Sequence, residues 1–229
     1  MKGFYGKLLR VDLSRRSWVA EAIPDEVFQR YLGGKGLGSH LLLENVKPGT
    51  DALSPENKVI FTIGAATDTL MVGSSRYGVY SKSPLTGFYA ESTSGGRVAF
   101  PMRRTGYDAM VIEGASETSV FLEISENRLT IFSTQILCVF FRDLIPWEDL
   151  VDLNRALTGL DYTKEDLWEV ANRVIDLTRK FNLQEGLTRE DDSLPPRLFK
   201  EKINEGNDGI TRDELNCMVD DYYRIRGWQ

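Results

Sequence analysis

Hydrophobic and polar residues alternate with a period of two along much of the first 133 residues. The alternation is clearest in FYGKLLRVDL and SWVAEAI, which flank SRRS and therefore predict a β-hairpin. Further strands are predicted in NKVIFTIG, SRYGVYSK, DAMVIEG, SVFLEIS and RLTIFS, which are separated by Gly, Pro, Ser and Asn. Short helices are predicted after Pro24, in SHLLLENV and in GRVAFPMRR, and GGKGLG is predicted to be a turn between the first two helices.

The pattern changes in the second part of the chain. From Thr163 onward, apolar residues recur every three to four positions, which is the spacing of one helical face. Thr163 with Asp166, and Thr211 with Glu214, have the spacing of capping boxes and predict the start of two amphipathic helices. The connection at 182–209 is rich in Pro, Gly, Asp and Asn, which is typical of a surface loop.

Together these patterns predict an α+β fold with two parts. A β-rich domain is expected at residues 1–133, and an α-helical portion at residues 134–229. The net charge of -6 argues against a nucleic acid or an anionic membrane as partner, because such partners are met by an excess of Lys and Arg. The longest apolar run, QILCVFF, is too short to span a bilayer, and the alternating start does not resemble a secretory signal. A cytoplasmic protein is therefore expected.

The two cysteines and the single histidine form no recognisable metal site. Cys138 and Cys217 are far apart and lack CxxC spacing, so neither a disulfide framework nor a zinc site is predicted. His40 lies in a predicted helix without a cysteine at ligand spacing, which favours a capping or core role. Cys217 and Trp168 are predicted to pack in the core of the helical portion.

The stretch KSPLTGFYAESTSGG concentrates Gly, Ser and Thr next to a predicted strand. Two interpretations remain open: a turn between strands, or a loop whose backbone N–H groups bind an anion or a cofactor. Arg76, Lys82 and the backbone donors at 92–96 form the candidate anion site. Arginine suits phosphate because its planar guanidinium donates two hydrogen bonds and keeps its charge.

Six phrases of the first part of the chain follow one another in a distinctive order: FYGKLLRVDLS, YLGGKGLGSHLL, LSPENKVIFTIG, SSRYGVYSKSPLTG, ESTSGG and RTGYDAMVIEGASE. Their order resembles the aldehyde ferredoxin oxidoreductase family, whose enzymes use tungsten or molybdenum held by a pterin cofactor. They follow one another as in the β-rich N-terminal domain of that family, which binds the bis-pterin cofactor. LCVFF and the helical segments that follow are similar to the C-terminal end of the family. The long segment between these two parts is missing from this chain.

The resemblance also implies roles for individual residues. Arg76 would contact a pterin phosphate, Thr93 stands where the family has Asn at the cofactor edge, and Cys138 stands at the position of one iron–sulfur ligand. The missing segment carries the CxxCxxxC motif. A [4Fe–4S] cluster needs four thiolates, so it is not expected from this chain alone. The full set of implied cofactor residues is Arg76, Lys82, Thr93, Gly95, Gly96 and Leu137, with Cys138 as metal-cluster ligand.

Two functions remain open at this point. The resemblance implies oxidation of aldehydes to carboxylic acids, with electrons passed to ferredoxin and a partner chain supplying the missing segment. The alternative is a non-catalytic remnant or scaffold module that keeps the fold without metal or cluster. Removal of the middle segment would expose apolar surface, so a homo- or hetero-oligomer or a complementary subunit is expected.

Overall fold

The computed structural model describes residues 1–71, 73–96, 98–117, 122–125, 128–130, 147–199 and 210–228, and of residues 123–125, 128–130 and 147 it describes the backbone only. The chain divides into two compact units, Met1–Glu185 and Gly186–Gln229. The strands are β1 (Lys7–Asp12), β2 (Ser17–Ala22), β3 (Val59–Thr62), β4 (Tyr77–Lys82), β5 (Tyr89–Ser94), β6 (Ala109–Glu113), β7 (Glu123–Ser125) and β8 (Arg128–Thr130). The helices are α1 (Asp25–Tyr31), α2 (Gly34–Asn45), α3 (Ala99–Arg104), α4 (Trp147–Thr158), α5 (Lys164–Gln184) and α6 (Arg212–Arg226).

A mixed six-stranded sheet organises the first unit, in the order β2-β1-β6-β3-β4-β5. β1 runs parallel to β6, and the other neighbouring pairs are antiparallel. The predicted hairpin is confirmed, with Lys7 opposite Ala22 and Asp12 opposite Ser17. β7 and β8 pair as a separate two-stranded sheet. The predicted α+β class is therefore confirmed.

The strands bury apolar side chains on both faces of the sheet, whereas the alternation in the sequence predicts only one buried face. On β1, Leu8 belongs to one cluster, whereas Leu9 and Val11 belong to the other. The first cluster includes residues of α1, α2 and α5, and the second includes Met102 of α3. Helix residues therefore pack against both faces of the sheet, which gives the fold its layers.

GGKGLG was predicted to be a turn, and this prediction is wrong: the segment forms the start of α2, which begins at Gly34. Glycine in a helix costs about 1 kcal/mol relative to alanine, so packing must compensate. A Cβ atom at Gly36 would lie 1.9 Å from the carbonyl oxygen of Tyr31, and one at Gly38 would lie 2.2 Å from the ring of Tyr80. The glycines therefore allow α2 to approach the end of α1 and the sheet.

Both predicted capping boxes are confirmed. Thr163 and Asp166 cap α5, and Thr211 and Glu214 cap α6, each through reciprocal bonds between side chain and backbone. Helix α4 was not predicted. The predicted loop at 182–209 begins later, because α5 continues to Gln184, and it contains two short 3₁₀ turns at Arg189–Asp191 and Pro196–Phe199.

The compact units divide at Glu185, because α5 packs against α1 and α2 and so belongs to the sheet unit. The predicted boundary at residue 133 stays a prediction, since residues 131–146 lie outside the described part of the chain. Two predicted core residues are exposed: Cys217 lies on the surface of α6, and the side chain of Trp168 is 58% exposed. Their helices have apolar positions on more than one face, so the apolar period alone does not identify which face is buried. Among the described helices, none is both long enough and apolar enough to cross a membrane.

Candidate functional site

Four of the predicted cofactor residues lie together at one end of the large sheet. Thr62, the last residue of β3, pairs with Gly78 at the start of β4, and Gly78 pairs with Thr93 near the end of β5. Arg76 directly precedes β4, and Gly95 directly follows β5. The antiparallel register of these strands therefore brings the arginine and the glycine-rich turn to the same sheet end.

The segment at 82–96, which was interpreted as a turn or as an anion-binding loop, contains a turn at 83–88 between β4 and β5, and then β5 itself. Residues Tyr89–Ser94 pair with β4 along their whole length, so part of their backbone hydrogen bonding is used in the sheet. The glycines that follow remain outside the strand. Gly96 has φ +106, which a residue with a side chain rarely adopts, and its carbonyl oxygen accepts a 2.7 Å hydrogen bond from Ser75 Oγ. The interpretation as a turn between strands is therefore confirmed at 83–88, and anion binding by the backbone at 92–96, of which only Gly95 and Gly96 lie outside β5, stays a prediction.

Arg76 is the residue of this cluster with the strongest signal for a ligand. Its Nε atom is buried and has no hydrogen-bond partner within the described residues. A Cβ atom at Gly95 would lie 4.0 Å from Cγ of Arg76 and 3.8 Å from the carbonyl oxygen of Ser75. Gly95 therefore lies within van der Waals range of the Arg76 side chain.

Lys82 lies away from this cluster, at the opposite end of β4. Lys82 is six positions further along the chain than Arg76, which corresponds to about 20 Å of extended strand. Its ammonium group forms an ion pair with the carboxylate of Glu185, and the two side chains are 8% and 4% exposed. Glu185 also accepts a hydrogen bond from the backbone N–H of Gly49 at 3.2 Å. The structure thus gives Lys82 a partner at the end of α5, and a role in cofactor binding stays a prediction.

Leu137 and Cys138 lie outside the described residues, so their predicted contacts with pterin and cluster stay predictions. Within the described part of the chain, no group of three or more His, Cys, Asp or Glu side chains is placed to hold a metal ion.

A polar network next to the cluster was not predicted. Lys35 Nζ lies 2.6 Å from Glu91 Oε2, which links α2 to β5. Ser39 Oγ and the Tyr89 hydroxyl are 2.8 Å apart and connect the same two elements. Burial raises the pKa of the Tyr89 hydroxyl well above its usual value, so it stays neutral. Because GGKGLG was interpreted as a turn, the direction of the Lys35 side chain was not predicted. A helix over this segment would have assigned Lys35 to one helical face.

The family of the chain follows from a comparison with known sequences. Residues 8–166 match the model of the family described as "Aldehyde ferredoxin oxidoreductase, N-terminal domain". The chain belongs to this family.

Individual relatives agree with the family match. The tungsten-containing aldehyde ferredoxin oxidoreductase of Pyrococcus furiosus is 40% identical over 131 residues, which cover 57% of this chain and 22% of the relative. The enzyme of the same name from Thermococcus kodakarensis is also 40% identical over 131 residues, with the same coverage. The WOR-like subunit of an aliphatic sulfonate oxidoreductase from Pyrococcus furiosus is 27% identical over 134 residues, which cover 57% of this chain and 21% of that subunit.

A solved structure extends the comparison to the fold. The active site complex BamBC of benzoyl coenzyme A reductase, with bound 1,5-dienoyl-CoA, superposes with a TM-score of 0.54 at 29% sequence identity. The superposition covers 68% of this chain and 23% of the matched chain. The chain thus spans about a fifth of the length of its curated relatives, of which it matches 22% or less in these three cases.

Proposed function

We propose that this chain contributes the N-terminal part of a cofactor site in a tungsten- or molybdenum-pterin oxidoreductase that acts on aldehydes. In this function Arg76 binds a phosphate of the pterin cofactor, and Thr93, Gly95 and Gly96 line the cofactor edge. A complementary subunit supplies the remaining cofactor contacts and cluster ligands. The family and the tungsten-containing relatives support this assignment.

The unpaired Nε atom of Arg76 is the single observation that carries the proposal. A buried donor without a partner costs about 1–3 kcal/mol, which a fold retains only where another advantage compensates. A phosphate group would satisfy this donor and the rest of the guanidinium at once. The residues present therefore fit an anionic group such as the phosphate of a pterin cofactor.

The neighbouring residues have separate tasks in this arrangement. Gly95 lies beside the Arg76 side chain, and the hydrogen bond from Ser75 Oγ to the Gly96 carbonyl oxygen holds the turn in position. Thr93 has a hydroxyl where the family has an amide. A single oxygen atom therefore stands in place of a carbonyl oxygen and an NH₂ group. When bound, the metal–pterin group supplies the two-electron redox chemistry that converts an aldehyde to an acid. Electron transfer onward to ferredoxin is part of the same proposal.

Metal content measured on variants of Arg76 tests the proposal. The full chain, purified natively together with the proteins that bind it, is analysed for tungsten, molybdenum and iron. We expect tungsten or molybdenum in the wild-type protein and at least a tenfold lower content in Arg76→Met. The free energy of unfolding should stay equal or rise in Arg76→Met, because the substitution removes an unpaired buried donor.

Arg103 provides a matched control. It also has a buried nitrogen without a hydrogen bond, but its guanidinium lies 3.6 Å from Asp108 and 4.6 Å from the ring centre of Tyr5. Arg103→Met should therefore lower stability and leave the metal content per folded chain unchanged. Equal metal content in Arg76→Met and wild type would contradict the role of Arg76. A wild-type protein with neither metal would instead support the non-catalytic scaffold.

A further inference from the structure

A pocket of about 340 Å³ lies where α2 begins, between the turn that follows β3 and helix α4. All of its lining residues belong to the unit Met1–Glu185. Its volume falls in the range of about 300–1,000 Å³ that small-molecule sites occupy. The wall is mostly apolar and includes Phe4, Leu32, Ala65, Leu150, Leu153 and Leu157.

One polar group in this wall lacks a partner. Asn154 lines the pocket, and its side-chain nitrogen is buried without a hydrogen bond to any described residue. Thr158 Oγ1 donates to the backbone oxygen of Asn154 at 2.7 Å, so it leaves the side-chain amide unsatisfied. A buried N–H donor without an acceptor is unfavourable, and a ligand oxygen would supply the acceptor.

The charge at the pocket is already compensated. Lys35 also lines the pocket, but its ammonium group lies 2.6 Å from the carboxylate of Glu91. An anionic ligand would have to compete with this ion pair. The apolar wall, the single unsatisfied donor and the compensated lysine together favour a neutral ligand with one acceptor atom.

The backbone at Leu32 supports a role for the pocket beyond packing. Leu32 has φ 54 and ψ -149, a conformation that glycine adopts readily and that a side chain makes unfavourable. Strained residues persist where the surrounding structure holds them, and they cluster at functional sites. The leucine side chain forms part of the pocket wall, which gives a reason for a leucine at this position.

We propose that this pocket binds a small, neutral, largely apolar molecule with one hydrogen-bond acceptor oxygen, such as an aryl ketone or an ether. The amide of Asn154 donates to that oxygen, and the leucine-rich wall surrounds the apolar part. The pocket shares no lining residue with the cluster of Arg76, Thr93, Gly95 and Gly96. It therefore does not depend on the proposed cofactor.

Two probes of matched shape test this site on the full, metal-free chain. Acetophenone carries an acceptor oxygen, and ethylbenzene is a similar hydrocarbon without one. Titrations followed by amide NMR should give saturable shifts of pocket residues with both probes. In Asn154→Leu, the affinity of acetophenone relative to ethylbenzene should fall by about 2- to 12-fold, as expected for one lost hydrogen bond.

Two further variants make the result specific. Leu153→Trp fills the pocket and should abolish the shifts caused by both probes, whereas Asn216→Leu, at an exposed position on α6, should leave both affinities unchanged. The proposal is overturned if neither probe shifts pocket residues in a saturable way. It is also overturned if the ratio of the two affinities is the same in Asn154→Leu as in wild type. Metal analysis is not part of this test, so its outcome is separate from that of the proposed function.

Discussion

The ion pair between Lys82 and Glu185 provides the sharpest test of how the end of α5 is held against the sheet. Replacing Glu185 with glutamine keeps the shape of the side chain but leaves the charge of Lys82 without its partner. With side chains only 8% and 4% exposed, this pair belongs to the buried class. Removing one partner of a buried pair costs about 3–5 kcal/mol, because the other charge stays desolvated.

A second, more exposed ion pair in the same unit gives the control. Lys35 and Glu91 are 45% and 25% exposed, so Glu91→Gln should cost no more than about 1 kcal/mol. Urea unfolding followed through the amide signals of β6 reports the free energy of unfolding of the sheet unit alone. We expect Glu185→Gln to lose at least about 2 kcal/mol more than Glu91→Gln.

The double variant Lys82→Met with Glu185→Leu separates charge from shape. Replacing both partners of a buried pair with apolar residues is often neutral or stabilising, so this variant should recover most of the loss. If Glu185→Gln loses less than about 1 kcal/mol, the pair contributes no more than a surface contact. If the double variant is as unstable as the single one, the cost lies in packing and not in an unpaired charge. The first result would refute the interpretation of Lys82 as a structural residue, and the second would refute the explanation of the loss by an unpaired charge.

Two further predictions concern α2. Burial lowers the pKa of His40, which stacks on Tyr31 at 5.0 Å between ring centres. As the only histidine, it should show a pKa below 6.5 in an NMR titration. The free energy of unfolding should fall as the pH drops below about 6.5, because the unfolded chain then binds a proton that the folded chain resists. A measured pKa at or above 6.5 would contradict this prediction. Gly38→Ala places a Cβ atom 2.2 Å from the buried ring of Tyr80 and should cost about 3 kcal/mol in urea unfolding. Gly87→Ala is the control, because a Cβ atom there has φ +75 to accommodate but meets no described atom within 4 Å, and it should cost about 1 kcal/mol. Equal losses of stability at the two positions would show that α2 shifts to relieve the contact with Tyr80.

Local patterns were sufficient to predict much of this fold. The hairpin of β1 and β2 follows from alternation around a polar turn, and the starts of α5 and α6 follow from Thr with an acid three residues later. In each of these cases the residues that determine the structure lie within a few positions of one another. The physical cause is therefore contained in a short stretch of sequence.

The errors arise where distant residues decide the outcome. Glycine disfavours a helix locally, yet α2 begins in GGKGLG because Gly38 must pack against Tyr80, which lies on β4. The ion pair of Lys82 was also not predicted, because its partner Glu185 is 103 positions away. Local propensity cannot include a contact of this kind, because the fold must exist before the two residues meet.

The candidate site shows the same division at the level of single atoms. The sequence places Arg76 before a strand and glycines after the next one, and antiparallel pairing then brings them to one sheet end. Only the structure distinguishes the two cations: Lys82 has a carboxylate partner, whereas the buried Nε atom of Arg76 has no hydrogen-bond partner among the described residues. A cation that already has a partner stabilises the fold without any ligand, whereas an unpaired donor is stabilised when a ligand arrives. For this reason the case for an anionic cofactor rests on Arg76, and the loss of metal without a loss of stability in Arg76→Met is the result that would identify it as a binding residue.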